Sequence, residues 1–102
     1  MGVVAVVTGV SRYLGGKVAA RLVDQPGIDR VIGVDVVPPR SPLACEFVRV
    51  DIRDAALGRL LEEAGADTVV HMGVIATPRQ AGGRSAMKDI NVIGTMQLLA
   101  AC

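Results

Sequence analysis

Aromatic side chains are nearly missing from this sequence. Its 102 residues hold no Trp, one Tyr and one Phe. Stacking of bases on aromatic platforms is therefore not a theme. Net charge is missing too: 11 Lys and Arg face 10 Asp and Glu, leaving +1. A nucleic-acid partner would call for a basic excess, so none is expected. Cysteine occurs twice. Cys45 and Cys102 match no metal-ligand spacing and read as free thiols of a cytoplasmic protein, with no metal site. No apolar run approaches the ~18 residues of a membrane span, so no membrane partner is expected. The N-terminus lacks a basic region and a small-residue cleavage site, which argues against a signal peptide. Disorder is excluded by what is present, since 51% of the chain is apolar. One small domain is the upper bound, large enough to remove roughly 60–70% of its unfolded surface from water.

The apolar residues fall into short runs separated by turn chemistry. Residues 2–7 form an unbroken apolar, β-branched run, which suits a strand buried on both faces. Residues 14–24 read as a helix with Leu14, Val18 and Leu22 on one stripe, ended by Pro26 and Gly27. Residues 31–35 are a second strand. The prolines of residues 37–42 make a loop, because Pro suits neither a ladder nor a helix interior. Residues 46–50 are a third strand. Residues 54–64 are a helix capped by Asp54, with Leu57, Leu60, Leu61 and Ala64 as its stripe. Residues 68–74 are a fourth strand and 77–83 a polar loop. Ser85 is then expected to cap a long helix carrying Met87, Ile90, Gly94 and Leu98. Strands alternating with amphipathic helices predict an α/β fold, a doubly wound parallel sheet with strand order 3-2-1-4.

The turn after strand one sits at the topological switch point, where such sheets bind ligands. It reads Val6-Val7-Thr8-Gly9-Val10-Ser11-Arg12-Tyr13-Leu14-Gly15-Gly16. Backbone N–H groups and the positive end of the next helix suit a pyrophosphate. Gly9 would make the tight turn and Gly15 the close helix packing. The middle glycine of such loops is absent. About 20 residues past Gly15, at the end of strand two, stands Asp35. Its carboxylate can accept from both hydroxyls of an adenosine ribose and would repel a 2′-phosphate, favouring NAD over NADP.

With these residues in place, the chain resembles the N-terminal part of the short-chain dehydrogenase/reductase superfamily, in its extended branch of NAD-dependent epimerases and dehydratases. The branch pattern TGxxGxxG appears as Thr8 to Gly15. "VD" at Asp35, "VDIRD" at residues 50–54, "VVHMGV" at residues 69–74 and "NVIGTMQLLAAC" from Asn91 follow in order. The resemblance implies cofactor contacts from Gly9, Ser11, Arg12, Tyr13, Leu14 and Gly15 in the loop. It implies adenine contacts from Asp51 and Ile52, and a cofactor-lining segment at Met72, Gly73 and Val74. His71 and Asn91 match family positions expected to pack and to hold the active-site region. In the extended pattern the missing glycine falls at Arg12, and in the shorter subclass at Tyr13. Arg12 could instead add a cation near the pyrophosphate, and Ser11 a hydroxyl donor.

The family's catalytic Ser or Thr and Tyr-x-x-x-Lys pair have no counterpart here. Tyr13 and Lys17 have the spacing but lie in the phosphate loop, so no catalytic residue is expected among the 102 positions. The chain also stops inside an apolar helical run, and strand four would be an apolar sheet edge. Both features predict a truncated N-terminal dinucleotide-binding domain, residues 1–102. The alternative is a minimal domain that hides this edge as a homodimer. The function expected is the NAD-binding part of an epimerase, dehydratase or related oxidoreductase or isomerase, acting on a nucleotide sugar or similar small molecule. A non-catalytic NAD(P)-responsive regulator is the alternative.

Overall fold

Buried β-branched runs build the sheet, and small-residue faces let the helices settle on it. The computed structural model describes residues 2–73 and 82–102. Strand β1 (Val3–Thr8) leads into α1 (Tyr13–Val23), β2 (Ile28–Asp35), β3 (Glu46–Arg49), α2 (Ala55–Ala64) and β4 (Thr68–His71). Then come α3 (Arg84–Lys88), a π-helical segment (Asp89–Gly94) and α4 (Thr95–Ala101). The four strands pair in parallel in the order β3-β2-β1-β4, as expected. No described helix is long and apolar enough to cross a membrane.

Strand β1 is covered on both faces, which is why its apolar run does not alternate. On one face Val6 packs with Ile32, Val34, Leu57, Leu61 and Leu98. On the other, Val7 packs with Val10, Ala19 and Val31. Each fully buried aliphatic side chain of this kind contributes about 1.5–3 kcal/mol. Helix α2 starts as expected: the Asp54 carboxylate accepts from the Ala56 N–H at 2.9 Å.

Several expectations need correction. Helix α1 buries Gly15 and Ala19, while Leu14 is 63% exposed. The helix is rotated about one residue from the predicted stripe, because a Cβ at residue 15 would run into the Gly9 carbonyl. The smallest residue must face the sheet. Strand β2 begins at Ile28 rather than Val31, since β1 pairs even with its polar start. Strand β4 ends at His71 because β1, its ladder partner, ends at Thr8. Gly83, not Ser85, is the N-cap of α3, and no side chain caps it. The predicted long helix changes pitch at the π-helical segment. Most of the predicted 77–83 loop, with Val74 before it, lies outside the described residues.

Candidate dinucleotide site

The carboxyl ends of β1 and β2 open onto one crevice of about 250 Å³. Gly9, Arg12, Asp35, Asp51, Ile52 and Gly73 line it together, although they come from four separate stretches of chain. Gly9 takes φ +70°, a left-handed conformation that only glycine enters without strain. A Cβ there would also stand 2.7 Å from the Gly73 backbone. The Gly9 carbonyl accepts from Arg12 N–H at 3.2 Å, closing the tight turn.

The backbone explains how the loop manages without its middle glycine. Arg12 is the N-cap of α1 at φ −91° and ψ 162°, ordinary extended backbone. A side chain costs nothing there. No side chain caps α1, so none competes with a ligand anion for its first-turn N–H groups. Val10 also explains a strand glycine: it is fully buried beneath the loop, and a Cβ on Gly33 would meet its side chain at 2.6–2.8 Å.

Asp35 ties the loop to β2. It is 9% exposed. Its Oδ2 accepts from Ser11 N–H at 3.1 Å and its Oδ1 from Val36 N–H at 2.7 Å. A carboxylate has about four lone-pair sites, so acceptor capacity remains for ligand hydroxyls. Across the crevice, Asp51 is held by Arg53. The guanidinium donates to Oδ1 at 3.0 Å and to Oδ2 at 2.7 Å, and the Arg53 N–H donates to Oδ1 at 2.9 Å. These bonds hold the Asp51 carboxyl below its usual range. Ile52 reaches into the core beside Gly94, where a Cβ would stand 2.8 Å from its Cδ1.

Other predicted residues are placed elsewhere. The Ser11 hydroxyl donates to the Val37 carbonyl at 2.6 Å, so its proton is committed to the loop after β2. Tyr13 and Leu14 point away from the crevice, 76% and 63% exposed. The Lys17 ammonium lies over the Tyr13 ring, 5.3 Å from its centroid. That is a surface cation–π contact. Gly15 serves packing against Gly9 rather than lining the crevice. The partly buried Met72 side chain packs against the core cluster of Val7, Val10, Ala19 and Val31. Val74 lies outside the described residues. Asn91 is half-buried on the π-helical segment.

Sequence reasoning missed Val36, Arg53 and Ile90, which also line the crevice. Arg53 had a signal, since an Arg two residues after an Asp at a strand end can fold back on it. Ile90 had none, because its stripe read as plain core. The π-helical segment that carries it is a feature frequent at functional sites. Thr8 was missed as well. It is fully buried, its Oγ1 accepts from Gly73 N–H at 3.0 Å, and it lies 2.6 Å from His71 Nδ1. His71 Nε2 lies 3.0 Å from Thr95 Oγ1. His71 thus meets hydroxyls, and among the described residues no carboxylate is hydrogen-bonded to it.

Comparisons with known proteins agree with this geometry. The NAD dependent epimerase/dehydratase family matches residues 5–102. The uncharacterized protein Rv0501 of Mycobacterium tuberculosis is 42% identical over 104 residues, covering 97% of this chain and 28% of that protein. The chain therefore spans about a quarter of this relative. A monomeric L-threonine 3-dehydrogenase from a metagenome superposes with a TM-score of 0.83 at 26% identity, over 95% of this chain and 32% of that one. A uronate dehydrogenase variant from Agrobacterium tumefaciens, complexed with NAD, gives 0.73 at 27% identity, over 99% of this chain and 36% of that one. With the family matched from β1 through α4 and the crevice at its switch point, the chain belongs to the NAD dependent epimerase/dehydratase family.

Proposed function

We propose that residues 1–102 are the cofactor-binding part of an NAD-dependent oxidoreductase or epimerase that acts on a nucleotide sugar or similar small molecule. The observation that carries this reading is Asp35. Its buried carboxylate lines the crevice, is fixed by two backbone donors, and keeps lone pairs for the two ribose hydroxyls. Charge repulsion at that spot opposes a 2′-phosphate. The donor set fits the rest of a dinucleotide: uncapped N–H groups of α1 and the Arg12 guanidinium for the pyrophosphate, and Asp51 and Ile52 for the adenine. Gly9 and Gly73 line the crevice without adding side chains to it. When bound, the nicotinamide supplies a hydride donor or acceptor. No described residue is assigned to the proton transfer that accompanies it.

Fluorescence titration with NADH and NADPH tests the reading. NADH should bind at least about tenfold more tightly. Tighter binding of NADPH would refute the role given to Asp35. A non-catalytic regulator is favoured only by Arg12 in the missing glycine's place. It predicts binding without hydride transfer to any sugar nucleotide by the full-length protein.

A further inference from the structure

We infer that His71 is a positioning residue for the dinucleotide crevice, acting through the Thr8 hydroxyl on the Gly73 backbone. The inference rests on the dinucleotide reading above and names a residue that this reading leaves idle. Hydrogen-bond satisfaction sets the proton positions. Thr8 Oγ1 accepts from Gly73 N–H and is fully buried, so its own proton needs an acceptor. His71 Nδ1, at 2.6 Å, is the acceptor. The imidazole proton then sits on Nε2 and donates to Thr95 Oγ1 at 3.0 Å. With the opposite tautomer Nδ1–H would point at Thr8 Oγ1, and the buried Thr8 proton would have no partner. The neutral Nε2–H form is the one in which every group of the chain is paired.

This chain of bonds reaches the crevice through Gly73. Gly73 lines the crevice with Arg12 and Asp35 and packs against Gly9, where a Cβ would collide with its backbone. Holding the Gly73 N–H on Thr8 holds the end of β4 against the glycine turn. Helix α4 is tied in through Thr95, so residues of β1, β4 and α4 share one imidazole, and the link reaches the crevice through Gly73.

Protonation of His71 turns Nδ1 into a donor and strands the Thr8 proton. Cofactor affinity should therefore fall as pH drops through the His71 pKa. Burial alone holds that pKa below the usual histidine value, so the neutral form prevails at pH 7. Among the described residues, the ring nitrogens meet the Thr8 and Thr95 hydroxyls and no titratable side chain is hydrogen-bonded to them. Glu62, Asp67 and Cys102 line a groove with it.

The test compares His71→Asn, which keeps an acceptor near the Nδ1 position, with His71→Phe, which has none. Two readouts are taken from pH 5 to 8: the Gly73 amide protection factor without ligand, and NADH affinity. The Phe variant should lose about tenfold in both at pH 7. The Asn variant should retain most of both, and its NADH affinity should lose the acid-side decline of wild type. Should His71→Phe fail to fold, Thr8→Val cuts the same link from the other side and carries the same expectation. Unchanged Gly73 protection in His71→Phe or Thr8→Val overturns the inference. So does an Asn variant that keeps the wild-type pH profile. If His71 protects Gly73 but wild type takes no NADH at any pH, the dinucleotide reading falls and takes the positioning role with it. If wild type binds NADH and the variants bind it equally, only the positioning role falls.

Discussion

Removing the Asp35 carboxylate should damage folding and binding by separable amounts. In the folded chain this group accepts two backbone N–H bonds, at 3.1 Å from Ser11 and 2.7 Å from Val36, while 9% exposed. Hydrogen bonds to a charged partner contribute about 1.5–3 kcal/mol each. Asp35→Ala loses both, and partial access of water to the two N–H groups offsets part of the loss. A destabilisation of about 3 kcal/mol follows, a large share of the 5–15 kcal/mol typical of a domain. Asp35→Asn keeps one acceptor and turns the other into a donor facing an N–H, so about 1–2 kcal/mol is lost. At this chain length that lowers Tm by about 4–8 °C per kcal/mol. Urea unfolding followed by circular dichroism measures this in a chain without Trp. Binding supplies the second quantity. Two ribose hydroxyls donating to the carboxylate are worth about 2–3 kcal/mol together, or roughly 30- to 150-fold in NADH affinity. Asp35→Asn should also narrow the gap between NADH and NADPH, since the negative charge is gone. The reasoning is refuted if both variants bind NADH as wild type does while remaining folded under the assay.

Two further outcomes concern the framework of the crevice. Gly15→Ala should cost more than about 2 kcal/mol in urea unfolding, because the added Cβ meets the Gly9 carbonyl and backbone cannot yield cheaply. Gly16→Ala is the control: its Cβ would stand 3.2 Å from the Val10 carbonyl, and its loss should be well under half as large. The Arg53–Asp51 pair predicts a pH effect. Arg53 holds the Asp51 carboxyl below its usual value of 3.8, so its stabilisation is present above pH ~4 and is lost as pH falls through the lowered value. Both side chains are substantially exposed, so Arg53→Met should cost less than about 1 kcal/mol at pH 7. It should also flatten the acid limb of the stability curve, and an unchanged limb would assign that limb to other carboxylates.

Much of the site could be read from the chain because its parts are local. Gly9 and Asp35 announce themselves by a turn after an apolar run and an acid at the end of the next. Asp54 announces a helix start. Other parts could not be read this way. Tyr13 and Leu14 sit inside the loop motif, yet their side chains face solvent, because the rotation of α1 is decided by Gly15. Ser11 has the right chemistry for a phosphate, but its hydroxyl is committed to Val37. Met72 follows His71 in the motif but turns into the core.

The sequence by itself determined the order of strands and helices, the parallel sheet they must form, and the acid and glycines at its switch point. Hydrophobic period, prolines and caps act within a few residues, so neighbours in the chain suffice to read them. Only the tertiary structure decided which face of α1 meets the sheet, where the last helix takes its π-helical turn, and that Thr8, His71 and Thr95 share hydrogen bonds. Those features depend on the fit between backbones and side chains far apart in sequence. That fit exists only once β1, β4 and α4 are packed together.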